Sequence, residues 1–196
     1  MTEPLVLATR NAHKLTEVGR MLSPYGLTVV GLPEPVVLPP EDGNTFEANA
    51  LPKARAAAAA LHRAAIADDS GIEAAALGGR PGVRSARYAG PNATDAENRE
   101  KLLAQTPPGS GLRYVCALAY VDPQAGIERV FFGECAGRRA PIAQGDGGFG
   151  YDPLFEPDDG PPGLTMAQLT DADKDAISHR GRAVRAFVQW LRESAG

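Results

Sequence analysis

Apolar and polar positions fall along this chain in blocks whose period changes, and the changes mark its elements. LVLAT, residues 5–9, is a short apolar run that reads as a buried strand. The polar turn RNAHK follows, then LTEVGRML, where Leu15, Val18 and Leu22 fall at helical spacing. LTVVGL (27–32) reads as a second strand, and the proline-rich, acidic PEPVVLPPEDGN after it as a loop. Asn44 or Thr45 can cap a helix through FEANALPKARAAAAALHRAA. Its alanine run favours helix, while Pro52 is expected to bend or interrupt it. AAIAD (64–68) reads as a strand ending at the acid pair Asp68–Asp69, and GIEAAALGGRPGVRSARYAG reads mostly as loop. Thr94 with Glu97 forms a capping box for a helix over 95–105. RYVCALAYV and IERVFFGECAG predict two strands joined by a DPQAG turn, a hairpin. GDGGFGYDPLFEP predicts a Gly-rich loop and EPDDGPPG a flexible crossing. Thr170 with Asp173 starts a short helix, and Ser178 caps the last one, HRGRAVRAFVQWLRE. There Val184, Phe187, Val188 and Leu191 make one apolar face. Early alternation of strand and helix, followed by a hairpin, predicts an α/β fold with a mixed sheet.

Composition narrows the function class. The 196 residues fit one domain, with room for two lobes. A net charge of −4 supplies no basic field for long nucleic acid, although a small anion can bind where a few cations converge. Cys116 and Cys135 match no zinc or redox spacing and are expected to be reduced and packed. The N-terminus has no signal-peptide pattern, and no apolar stretch reaches the roughly 18 residues of a membrane span. A cytoplasmic protein with no membrane partner is the expectation.

Four clusters carry candidate chemistry. In TRNAHK (9–14) a strand feeds a helix start, which offers free backbone N–H groups and a positive dipole end. Arg10 and Lys14 add charge, so a phosphate chain fits; the glycines of a P-loop are absent. The alternative is a surface turn with solvated cations. In ADDSG, strand alternation turns Asp68 and Asp69 to opposite faces, so they do not share one task. A carboxylate beside phosphates suits Mg²⁺, which binds through one or two carboxylates plus substrate oxygens, and Glu41 is a candidate second ligand. The alternative is an Asx-turn closing the strand. In SHRGR (178–182) cations crowd a helix start, the unfavourable end for them unless an anionic or electron-rich ligand lies there; the alternative is an arginine-rich surface helix whose charges are solvated. In GGFGYDP (147–153) the glycines allow close backbone approach, Phe149 can stack on a base, and Asp152 can accept a base N–H. A tight turn with Phe149 in the core is the alternative. Together these are the parts of a Mg²⁺–nucleoside triphosphate site.

ATRNAHK, ADDSG, PGVRSARYAG, GGFGYDPLF and ISHRG occur in the order found in the inosine triphosphate pyrophosphatase family, and the chain resembles that family from Leu5 to about Leu191. The resemblance implies a long mixed β-sheet with flanking helices, and two lobes with a substrate cleft between them. It implies a homodimer that hydrolyses ITP, dITP and XTP with Mg²⁺ to the monophosphate and pyrophosphate. By matching positions, Thr9, Arg10, Asn11, Ala12, His13 and Lys14 would hold the phosphates. Asp69 would be proton acceptor and metal ligand, Glu41 would share the metal, and Ser70 would contact substrate. Phe149, Gly150, Tyr151, Asp152, Lys174, His179 and Arg180 would form the nucleoside end, with Lys53 and Asp68 in support. The chain departs from the family pattern at Arg10, where many members have Gly, and at Gln168, where Glu is common. Two other functions share the clusters: a Maf-type pyrophosphatase of different base preference, and a nucleotide sensor that binds without turnover.

Overall fold

Leu5–Leu7 forms β1, buried throughout, and Asn11 caps the helix that follows, α1 (Ala12–Leu22). The structure, a computed structural model, describes residues 3–194. The chain continues through β2 (Val29–Gly31), α2 (Phe46–Leu61), β3 (Ala65–Ala74), α3 (Asp95–Gln105), β4 (Gly111–Asp122) and β5 (Ile127–Arg139). It ends with β6 (Phe155–Pro157), α4 (Asp171–Ile177) and α5 (His179–Ser194). The six strands form one sheet in the order β2-β1-β3-β4-β5-β6. β1 runs parallel to β2 and β3, whereas β6 runs antiparallel to β5, so the sheet is mixed as expected. β4 and β5 are neighbours joined by residues 123–126, a connection that only an antiparallel hairpin can make.

The chain divides into two compact units, each with its own core. The first comprises Met1–Asp69, Cys116–Gly133 and Arg180–Gly196. In it the apolar face of α5 (Val184, Phe187, Val188) packs with Leu5, Leu7, Val18, Leu22, Ile66 and Leu118. The second comprises Ser70–Val115 and Glu134–His179. Its core gathers Ile72, Leu102, Leu112, Tyr114, Tyr151, Leu154, Phe155 and Met166. Both cysteines are buried free thiols, as composition predicted.

Three expectations change. β3 does not end at the acid pair but runs on to Ala74. Two adjacent charges end a strand only if water must reach them; here both are buried among partners, and Ile72 and Ala74 continue the apolar pattern. Pro52 does not interrupt α2, which runs from the Thr45 cap to His62 in the left-handed conformation (φ 51°). Proline removes one N–H, and the helix is held instead by the buried Ala50, Ala54, Ala57 and Ala58. The Gly-rich segment ends in a short strand, β6, read beforehand as loop. Ser178, extended at φ −65° and ψ 155°, stands directly before His179, the first residue of α5, as expected of its cap, and it also closes α4, its N–H donating to Lys174 O at 2.8 Å.

Candidate functional site

In the first unit, β3 delivers Asp68 and Asp69 into opposite surroundings. Asp68 is fully buried; Lys14 Nζ lies 3.0 Å from its Oδ2, and Arg180 Nη2 3.1 Å. Arg180 also donates to Glu17 Oε2 at 2.6 Å, so α1 and α5 meet β3 in one buried ion cluster. Burial opposes ionisation of Asp68, but the charges of Lys14, Arg180 and Lys53 outweigh it and hold the carboxyl well below the usual carboxylate range. The guanidinium of Arg180 shifts the opposite way: burial works against its charge, and Asp68 and Glu17 more than offset that.

Asp69 accepts from Asn49 Nδ2 at 2.8 Å. Burial pushes its carboxyl up, against the Asn49 hydrogen bond and the Lys53 charge, and the neighbouring Glu41 charge adds to the rise. Asn49 Oδ1 accepts from Gly43 N at 2.8 Å, so one amide ties the acidic loop to Asp69. A Cβ at Gly43 would stand 2.7 Å from Asn49 Oδ1, which is why glycine sits there. Lys53 donates to Glu41 and, at 2.8 Å, to the Asp68 carbonyl.

The TRNAHK turn is more self-contained than its sequence suggested. Asn11 Oδ1 accepts from His13 N (2.9 Å) and Lys14 N (3.2 Å), so the cap occupies two N–H groups that an anion could have used. Arg10 donates to the carbonyls of Leu32, Pro33, Glu34 and Val36 at 2.8–3.1 Å. Its guanidinium clasps the loop that leads to Glu41.

The second unit assembles the other cluster. Asp152 Oδ2 accepts from Lys174 Nζ (2.7 Å) and from Phe149 N (2.9 Å), and Oδ1 from Tyr114 Oη (3.1 Å). His179 stacks on Tyr114 with ring centroids 4.5 Å apart and planes 7° from parallel. Lys174 Nζ lies 5.3 Å from the Phe149 ring centroid. A Cβ on Gly148 would fall 2.1 Å from Asp152 Oδ2, and its φ of +68° favours glycine in any case. The arrangement offers a half-buried aromatic face beside a buried carboxylate, ammonium and imidazole, which suits a planar polar ring.

The Ham1 family profile matches residues 5–190. The chain belongs to the Ham1 family. A dITP/XTP pyrophosphatase of Mycolicibacterium paratuberculosis is 50% identical over 201 residues, covering 98% of this chain and 97% of that one. Another of that name, from Cutibacterium acnes, is 48% identical and covers 94% of each. Among solved structures, a HAM1 protein from Coxiella burnetii superposes with a TM-score of 0.86 at 37% identity, covering 98% of this chain and all of that one. The family resemblance read from five motifs is borne out.

Within this Ham1 chain the predicted residues fall into separate groups. Glu41, Lys53, Asp68, Asp69 and Lys14 gather in the first unit, and Phe149, Gly150, Asp152, Lys174 and His179 in the second. Arg180, expected at the nucleoside end, falls in the first unit, where it pairs with Asp68 and Glu17. Tyr151 is buried and donates to Ser85 O at 2.8 Å, which gives it a packing task. Ser70 is partly buried at the start of the second unit. Sequence reasoning missed Asn49, Glu17 and Tyr114. The first two carried a signal, a polar residue on an otherwise apolar helix face; Tyr114 reads as any apolar strand residue.

Proposed function

We propose that this chain hydrolyses non-standard purine nucleoside triphosphates (ITP, dITP, XTP) to the monophosphate and pyrophosphate, with Mg²⁺ as cofactor. The observation that carries this reading is the divergence of two adjacent acids. Asp68 is locked ionised among cations, while Asp69 has a raised carboxyl beside Glu41. Such opposed shifts mark a division between a structural anion and a group poised to take a proton. The names of the relatives support the substrate class.

Glu41 and Asp69 fit the cofactor. Mg²⁺ is held by one or two carboxylates with phosphate oxygens completing its shell, and Glu41 and Asp69 are two carboxylates that Lys53 and Asn49 hold in one neighbourhood. Burial is the main cause of the raised Asp69 carboxyl and the Glu41 charge adds to it; a divalent cation between the two carboxylates would offset both. When bound, Mg²⁺ neutralises phosphate charge. The rest falls to the chain. Asp69 takes the proton from the water that attacks the α-phosphorus, and Asn49 holds its carboxylate in orientation. Lys14, oriented by Asp68, offers its remaining ammonium protons to phosphate at the positive end of α1, which has no acid in its first turn. Arg10 and Arg180 position their neighbours.

At the nucleoside end Phe149 stacks on the base. His179 and Lys174 supply donors for a 6-oxo group, which adenine lacks. The same proposal carries the homodimer, tested by light scattering, and action on the cytoplasmic nucleotide pool. The deciding experiment is kcat/KM for ITP, dITP, XTP, GTP and ATP with Mg²⁺, then with EDTA. Pyrophosphate release favouring ITP and XTP and abolished by EDTA is expected. Preference for ATP, or binding without turnover, overturns the reading.

A further inference from the structure

The loop that carries Phe149 and Asp152 is held from outside by one helix. We propose that Asp95 and Arg99 of α3 are positioning residues for base selection, an inference that rests on the nucleoside-end reading of this loop. Gly150 is gripped at both of its backbone polar atoms. Its N–H donates to Asp95 Oδ2 at 2.8 Å, and its carbonyl accepts from Arg99 Nη1 at 2.7 Å. The two side chains lie four residues apart, which puts them on one face of α3. Each bond has an ionised partner, the stronger class of hydrogen bond.

The helix that provides this grip is itself anchored. Thr94 and Glu97 close a capping box at its N-terminus. Asn98, buried on the same side, accepts from Ala89 N at 2.8 Å and donates to Ala86 O at 3.1 Å. A fixed helix therefore holds one residue of the loop at two points, through the peptide groups on either side of its Cα.

That residue sets the loop's geometry. Gly150 stands at φ +61°, between Phe149 and the Asp152 that accepts the Phe149 N–H. Glycine has the widest choice of backbone states, so an untethered Gly150 would let the ring and the carboxylate drift apart. Selecting one base over another requires such groups to be held within about 0.5 Å. Asp95 and Arg99 need not touch the nucleotide to decide which base is accepted.

The test is kcat/KM for ITP and for ATP in wild type, Asp95→Ala, Arg99→Ala and the double variant. Asp95→Asn and Arg99→Lys serve as conservative controls. The ITP-to-ATP ratio is expected to fall about tenfold or more in each alanine variant, the scale of one hydrogen bond to a charged group, with the loss carried in KM for ITP. The double variant should be little worse than either single one, because both act on one residue. Asp95→Asn, which keeps an acceptor, should recover most of the ratio. A loss equal for both bases, or unchanged ratios in folded variants of a selective wild type, overturns this inference alone. A wild type without ITP preference overturns the functional reading, and this inference with it.

Discussion

Replacing Asp68 by Asn keeps the shape of the side chain and removes its charge from the centre of a buried ion cluster. Asp68 is fully buried and faces two cations, Lys14 at 3.0 Å and Arg180 at 3.1 Å. Removing one partner of a buried pair costs about 3–5 kcal/mol, because the remaining charge has lost both water and counter-ion. Arg180 retains Glu17 at 2.6 Å and the Lys14 side chain keeps 14% exposure, so the lower end, about 3 kcal/mol, is expected. For a chain of this size that lowers the melting midpoint by about 6–12 °C. The assay is urea and thermal unfolding of wild type and Asp68→Asn across pH. Because the native carboxyl lies below its unfolded value, its contribution is complete above the unfolded pKa of about 3.9 and is lost as pH falls through the native value. The gap between the two proteins should therefore be flat near neutrality and close in acid. Glu128→Gln, which breaks the exposed pair with Arg55, should leave the midpoint unchanged. A loss below about 1 kcal/mol in Asp68→Asn, or equal losses in the two variants, refutes the reasoning.

Other variants separate the remaining roles. Asp69→Asn should lower kcat at least about 10²-fold, the scale of a lost general base. It should not lower stability: a raised native carboxyl penalises the fold once pH exceeds that value, and the amide removes the penalty. Near-normal turnover in the folded variant sinks the assignment. Gly148→Ala brings a Cβ to 2.1 Å from Asp152 Oδ2 in a left-handed conformation, costing about 1–3 kcal/mol in strain and raising KM for ITP; an unchanged KM would count against the loop's role. Arg10→Ala should speed limited proteolysis in the 32–44 loop, since four carbonyls lose their donor; a raised KM with unaltered proteolysis would return Arg10 to the phosphates. Burial and then the Asp68 charge push the Cys116 thiol up to about 12, so it should stay inert to thiol reagents at pH 8 until the protein unfolds. Rapid labelling of the native protein would contradict that.

The local rules of the chain were legible without coordinates. The capping box at Thr94 and Glu97, the apolar face of α5, the DPQAG hairpin and the family motifs are all patterns of short range, and each was met where the spacing put it. Period 2 along β3 also separated Asp68 from Asp69 before their surroundings were known. What the tertiary structure decided was company. Arg180 and Asp68 are 112 residues apart, and Arg180 and Glu17 are 163 apart, so no spacing could pair them. Arg10 looked like a phosphate cation because its carbonyl partners lie more than twenty residues on. Asp95 and Arg99 meet Gly150 across more than fifty residues, a separation no local pattern spans. A side chain's type sets which bonds it can make. Its burial and its partners, fixed only when distant segments pack, set which of them it does make and which way its proton equilibrium moves.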